Sequence, residues 1–235
     1  MREELHALDT ELSITSNIPV ANPIDMLLLG ADEAGKGPVI GSMFIAGLVI
    51  EEERLFDLAA FGVRDSKQLA PEKREMLAKK ITRIATDQYI LEVPPHVIDE
   101  LRLVMTMNDL MVRSFAQVVQ KLHADRAILD AADVDAARFA SRVRSASKTS
   151  MELMAEHKAD ERHHVVSAAS ILAKVRRDAS MRELESRLGC KIGSGYPHDQ
   201  DTIDFLSNWV RENRELPPCV RHSWATAQRI KASFI

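Results

Sequence analysis

The chain has 235 residues, 46% of them hydrophobic and 28% charged, with a formal net charge of −4. That is ample for a sizeable core and excludes a disordered chain, while nine glycines and nine prolines exclude fibrous and low-complexity classes. Two cysteines, Cys190 and Cys219, are too few for a disulfide scaffold and lack metal-ligand spacing, so a reducing, cytoplasmic setting is expected.

The longest mostly apolar stretch, residues 39–50, contains glycines and is too short to span a bilayer, so no membrane association is expected. The acidic N-terminus lacks an export signal pattern. A pI near 6.1 argues mildly against a nucleic-acid partner. The charge is polarised, however: residues 1–135 hold 14 basic and 23 acidic residues, and residues 136–235 hold 17 and 12.

Residues 1–25 read as a loosely attached leader. Residues 26–31 are an apolar run too short for a helix and predict a buried strand; 35–41 form a turn and 43–50 a second strand, a hairpin-like start. A helix is expected over 69–85, with Pro71 in its first turn and Leu77, Ile81 and Ile84 on one face. A third strand, 88–93, stops at Pro94-Pro95. The spacing of Met111, Phe115, Val118, Val119 and Leu122 predicts a helix over 108–122. Residues 127–129 form a brief strand delivering Asp130, and 150–155 the last strand. Helices follow over 166–188, 202–213 and 223–232. Strands mixed with helices up to about residue 160 predict an α/β layered core over 26–188, with a C-terminal helical region, 189–235, packed on it.

The densest chemical signal is Asp32-Glu33-Ala34-Gly35-Lys36-Gly37-Pro38. In mid-strand, adjacent carboxylates point to opposite faces; at a strand end, a glycine turn lets both converge on one cavity. Backbone amides so exposed, beside Lys36, suit a phosphate or a sugar edge. An ordinary acidic turn with a solvated lysine carries equal weight on spacing alone.

Asp130 repeats the logic at the end of a second apolar strand. Asp133 and Asp135 fit caps better, and Asp160 reads equally as a cap or a site residue. Four carboxylates cannot share one pocket cheaply unless divalent cations neutralise them, and hard oxygen ligands select Mg²⁺ or Mn²⁺. Two such ions suit an in-line phosphoryl displacement. Basic residues follow: Arg138, Arg142, Arg144 and Lys148 in a stretch without acid, then Ser167, Ser170, Lys174 and Arg177 at helical intervals, a polar stripe suited to phosphates or simply a solvated face. Tyr196, in Ser194-Gly195-Tyr196-Pro197, can stack on a base or sugar, or close the core.

Taken together, these motifs resemble ribonuclease HII in its archaeal-type form, over residues 28–228. Asp32 to Pro38, Asp65-Ser66-Lys67-Gln68-Leu69, Asp130-Ala131-Ala132-Asp133-Val134, Lys158-Ala159-Asp160, the run from Val166 to Val175, Ser194 to Pro197 and Arg221-His222-Ser223-Trp224 occur in the family's order. The resemblance implies an RNase H-like fold: a mixed five-stranded sheet flanked by helices, with a C-terminal helical region. It implies metal-dependent cleavage of the RNA strand in RNA–DNA hybrids, single ribonucleotides in duplex DNA included, leaving 5′-phosphate and 3′-hydroxyl ends. By motif position, Asp32, Glu33, Asp130 and Asp160 are the metal-binding, catalytic carboxylates. Gly35, Lys36 and Gly37 occupy the segment that senses the ribose 2′-hydroxyl, and Tyr196 matches the tyrosine that helps select the RNA-to-DNA junction. Lys67, Ser167, Ser170, Lys174 and Arg177 complete the expected substrate-binding set.

Lys36 stands where the family usually has arginine. Lysine there resembles ribonuclease HIII, which is generally less able to cut at a single ribonucleotide. Recognition in the family leans on backbone atoms of this loop, so junction cleavage is expected to survive. Ser42 replaces a usual proline. The ending Gln228 to Ile235 has the glutamine and the Phe-Ile pair of a sliding-clamp-binding peptide, with Lys231 where that motif has an apolar residue. A monomer is expected. A non-catalytic hybrid-binding module is the rival from another class; a phosphotransferase is disfavoured by the absence of a G-x-x-x-x-G-K-[S/T] loop.

Overall fold

The computed structural model describes residues 26–63 and 69–234; the leader and Lys67, with most of its motif, lie outside these described residues. Five strands form one mixed sheet: β1 (Leu27–Ala34), β2 (Met43–Glu51), β3 (Asp87–Val93), β4 (Arg126–Asp130) and β5 (Glu152–Glu156), in the order β3-β2-β1-β4-β5. β2 is antiparallel to β1 and β3, while β4 runs parallel to both β1 and β5. This is the mixed five-stranded α/β architecture expected from the sequence.

The described helices are α1 (Leu55–Ala60), α2 (Pro71–Ile84), α3 (Pro95–Arg102), α4 (Met107–Lys121), α5 (Ala136–Ser147), α6 (Ala159–Arg162), α7 (His164–Leu188), α8 (Gln200–Asn213) and α9 (Ala225–Phe234). The central strands β1, β2 and β4 are mostly apolar and buried because both faces of the sheet are covered there, while the edge strands β3 and β5 are more polar and only partly buried. Leu28, Leu48, Ile50 and Ile128 pack under α1, α2 and α7. Leu29, Ile45, Val49 and Leu129 pack against Ile98, Phe115 and Phe139 of α3, α4 and α5. A third cluster joins Val39 and Ile40 to Met181 and Leu184 of α7 and to Phe205, Leu206, Val210 and Ile230 of the C-terminal helices.

Local chemistry explains the helix starts. Pro71 occupies the first turn of α2, and Thr106 and Asp109 form a reciprocal capping box on α4. Four described helices, α1, α3, α5 and α6, were not expected from the sequence, and two of them have a clear local cause. Pro94-Pro95 does stop β3, but Pro95 also opens α3, where a missing amide N–H costs nothing. The acid-free basic stretch is α5, capped by the Asp135 side chain on the Arg138 amide and buried along Phe139, Ala140 and Val143. Arg138 and Arg142 on it pair with Asp133 and Asp109 at 2.7 and 2.5 Å, which withdraws two of its four cations from phosphate binding.

Helix α7 sets the site. Its first ten residues are mostly small and nearly all buried, so it lies flat on the sheet. The closest approach is at Gly30, where a Cβ would stand 2.5 Å from the Val165 carbonyl carbon and 2.7 Å from the Val166 nitrogen. These are backbone atoms that cannot swing aside. Gly30→Ala is therefore expected to lift α7 from β1 and cost about 1–3 kcal/mol, read as a lower urea midpoint; an unchanged midpoint would contradict this packing.

Candidate active site

Parallel pairing of β1 with β4 ends at Ala31 opposite Leu129, whereas pairing of β1 with β2 continues to Ala34. Beyond Ala31 the two parallel strands lose their shared ladder, and the next residue of each is an aspartate. Asp32 and Glu33 thus lie within a strand, not after it as expected, and they converge because only one edge of that strand remains paired. One carboxylate oxygen from each of Asp32, Glu33 and Asp130 lies within 4.8 Å of the others.

Asp32 is buried, and its carboxylate accepts the Glu33 amide at 2.7 Å. Burial raises its pKa well above the usual carboxylate range; the charges of Glu33 and Asp130 add to this, while the Ser170 hydroxyl and Lys174 ammonium oppose it. Glu33 is raised too, chiefly by burial, with Lys36 opposing and Asp130 adding. Its Oε2 is enclosed without a hydrogen-bond partner among the described residues. Asp130 Oδ1 accepts the Ala159 amide at 2.7 Å, which ties the end of β4 to α6.

Asp160 does not cap its helix; Lys158 is the cap, in a left-handed conformation with φ 58°, and Asp160 sits in the first turn. It is buried beside Ala159, but its oxygens lie outside the 4.8 Å group. Asp135 does cap, as the simpler reading expected.

The glycine loop leaves β1 and borders a cleft of about 400 Å³ lined by Glu33, Gly35, Lys36, Gly37, Arg74, Lys174, Arg177, Asp178 and Tyr196. Gly35 has φ 86°, and a Cβ there would lie 2.9 Å from the Ser42 carbonyl oxygen, so this turn requires glycine. Lys36 is not a solvated lysine: its Nζ donates to the Ala132 carbonyl at 2.7 Å, bridging the loop to the segment after Asp130. Arg177 donates to the Ser194 carbonyl at 2.6 Å and stacks on Tyr196 at 5.1 Å. The Tyr196 ring reaches within 3.7 Å of where a Gly37 Cβ would be. Gly195 accepts the Val39 amide at 2.8 Å, which fixes the tyrosine turn against the glycine loop.

The structure therefore brings Asp32, Glu33, Asp130, Gly35, Lys36, Gly37, Lys174, Arg177 and Tyr196 to one region. The expected polar stripe on α7 divides. Ser167 and Ser170 are almost fully buried and do not face solvent; the Ser170 hydroxyl acts on the Asp32 carboxylate, and Lys174 Nζ donates to Ser170 Oγ at 2.6 Å. Arg74 was not expected; it arrives from α2, more than a hundred residues from its partner Asp178, which it meets at 2.8 Å. Arg221 and Trp224 were recognised as a motif without a role, yet both contact the glycine loop. For Arg221, its place in the Arg221-His222-Ser223-Trp224 motif was the available signal; its burial and its partners were not visible in the sequence.

A model of the ribonuclease HII family matches residues 29–227. A ribonuclease HII of Methanothrix thermoacetophila is 59% identical over 210 residues, spanning 89% of this chain and 100% of that protein. The crystal structure of ribonuclease H2 from Pyrococcus horikoshii superposes with a TM-score of 0.84 at 41% identity, covering 89% of this chain and 99% of that one. The ribonuclease HII of Archaeoglobus fulgidus, solved as its complex with PCNA, superposes at 0.77 with 37% identity, covering 85% and 95%. The splayed strands, the clustered acids and these likenesses agree: the chain belongs to the ribonuclease HII family, ribonucleases H that cleave RNA in RNA–DNA hybrids.

Proposed function

We propose that this chain cleaves the RNA strand of hybrids and also cuts at single ribonucleotides in duplex DNA, leaving 5′-phosphate and 3′-hydroxyl ends, with two Mg²⁺ or Mn²⁺ ions held by Asp32, Glu33, Asp130 and Asp160. The observation that carries this reading is the meeting of three carboxylates from two strands within 4.8 Å, directly beside the glycine loop.

The donor set fits a hard divalent cation. It is all oxygen and partly enclosed, and burial first, with the neighbouring carboxylate charges second, raises Asp32 and Glu33, a penalty that a divalent cation would relieve. Bound ions supply an activated water and positive charge where the leaving oxygen develops charge. The chain's own groups do the rest. The Ala159 amide orients Asp130, and Ser170 and Lys174 hold the buried Asp32. Lys174 and Arg177 line the cleft as cations for the phosphate backbone. The Gly35–Lys36–Gly37 backbone can approach a ribose closely, and the 2′-hydroxyl is what separates RNA from DNA there. Because Lys36 is tied to Ala132, its role is to hold the loop, which supports retention of junction cleavage despite the replaced arginine. The packing of Tyr196 over Gly37 supports its assignment to junction selection. A non-catalytic binder would have no use for such repulsion.

The A. fulgidus complex supports a sliding clamp as a partner. In this chain Gln228 donates to the His222 carbonyl, and Arg211 stacks on Phe234 at 5.2 Å. Capture of Gln228 and Phe234 by a clamp would therefore exchange contacts made at both ends of α9.

With Mg²⁺ or Mn²⁺, the chain should nick duplex DNA carrying one ribonucleotide, and a chelator or Asp130→Asn should lower the rate by at least about 100-fold; absence of a metal-dependent nick on this duplex and on continuous hybrid would refute the enzymatic site. Tyr196→Ala should reduce junction cutting more than hybrid cutting, and equal losses would remove Tyr196 from selection.

The raised carboxylates also predict a stability signature. A folded-state pKa above the unfolded one favours the protonated native state, so this contribution is full below the unfolded pKa and is lost as pH rises through the folded one. In chelator, Asp32→Asn is expected to stabilise the protein at pH 7 by about 0.5–2 kcal/mol, with the gain shrinking toward about pH 4. A variant less stable than the parent at pH 7 in urea titrations would contradict it.

A further inference from the structure

Arg221 is the largest fully buried side chain in the described structure. It belongs to none of the expected catalytic or binding groups, and it faces the glycine loop from behind. Its Nε donates to the Gly41 carbonyl at 2.9 Å, one terminal nitrogen to Lys36 at 3.0 Å and the other to Gly35 at 2.6 Å. The guanidinium stacks on Trp224 at 4.9 Å, and Trp224 Nε1 donates to the Gly37 carbonyl at 3.1 Å. Four loop carbonyls are therefore held by one Arg–Trp pair.

This pair is itself immobilised. The Arg221 amide donates to Val39 at 2.9 Å, and Ile40 bridges Val220. Asp99 of α3 accepts the His222 and Ser223 amides at 2.7 and 2.9 Å and the Ser223 hydroxyl at 2.6 Å. Burial is costly for the guanidinium and depresses its pKa to about 9. A planar five-donor fork is the side chain that can satisfy several carbonyls at once, which a lysine cannot do in the same geometry.

The consequence follows from the trans peptide. In each unit the C=O and N–H point in opposite directions. Carbonyls of Gly35 and Lys36 drawn toward Arg221 turn the amides of Lys36 and Gly37 away from it, toward the side where these residues line the cleft. The buried cation at the carbonyl end also polarises those peptide units and strengthens their N–H groups as donors.

We propose that Arg221, seconded by Trp224, is the positioning residue of the loop: it sets the direction of the amides that read the ribose and its phosphate. This rests on the substrate reading given above. Neither side chain touches substrate; each acts through the backbone.

The test uses the full chain with Mg²⁺ on two substrates, a duplex with one ribonucleotide and a continuous hybrid. Arg221→Lys keeps the charge but loses the fork, and Trp224→Phe keeps the stacked ring but loses one N–H. Arg221→Lys is expected to lower kcat on the single-ribonucleotide duplex by about 10- to 100-fold, with a smaller loss on the hybrid. Trp224→Phe should shift the same ratio in the same direction while melting within a few degrees of the parent. A merely structural role predicts equal losses on both substrates, in proportion to the folded fraction, and that result overturns the proposal. If Arg221→Lys does not fold, Trp224→Phe decides, and an unchanged ratio in it counts against the idea. Should the parent cut hybrid but not the single-ribonucleotide duplex, the substrate reading fails by itself. The positioning role is then decided on hybrid: lower kcat for Trp224→Phe at unchanged KM and melting supports it, and unchanged kcat overturns it.

Discussion

The contact on which the rest depends is that of α7 lying directly on β1 at Gly30. Backbone meets backbone there with no side chain between, so the helix axis is held at a fixed height above the strand. Two residues further along the same strand face stands Asp32, with Ser170 and Lys174 of the helix acting on its charge. A bulkier residue at position 30 would displace the helix and loosen the polar groups that make a buried carboxylate tolerable. The small residues at the start of α7 are the other half of this contact.

The second constraint is topological. β1 is shared by an antiparallel neighbour that follows it to Ala34 and a parallel neighbour that leaves it at Ala31. The cleft opens where one ladder stops and the other continues. Ligands of α/β sheets gather at the carboxyl ends of parallel strands for this reason: backbone groups there are released from the ladder and side chains converge. Here the convergence is of acids, whose burial and mutual repulsion cost stability locally and leave three carboxylates grouped closely enough to hold a hard cation.

The glycine loop depends on contacts from outside the sheet. Gly195 accepts from Val39, Arg177 lies against Gly35 and Tyr196, and Arg221 and Trp224 hold the loop carbonyls from behind. The C-terminal helices are therefore more than a cover for apolar surface. Their third hydrophobic cluster includes Val39 and Ile40, which immediately follow the loop. The whole-chain charge of −4 is a poor summary of this surface, because Asp32, Glu33 and Asp130 are gathered in one cluster while Lys174 and Arg177 line the cleft beside it.

Strand and helix identity came from apolar periodicity and turn chemistry, which are local: the strand ending at Asp130, the helix opened by Pro71 and the glycine turn after Asp32 were all legible in one dimension. So was the family, from the order of its motifs. Local signals misled where a residue had two uses. Pro95 both ends a strand and opens α3, and two cations of α5 are paired with acids, Arg138 with nearby Asp133 and Arg142 with Asp109, 33 residues away. Only the tertiary structure decided that Asp32 and Glu33 converge from within a strand, because that depends on which neighbour stops pairing. It alone showed that Ser167 and Ser170 face inward, that Arg74 enters the cleft, and that Arg221 carries the glycine loop. A hydrogen bond spanning 186 residues leaves no periodicity in the sequence; it exists only once the chain has closed around it.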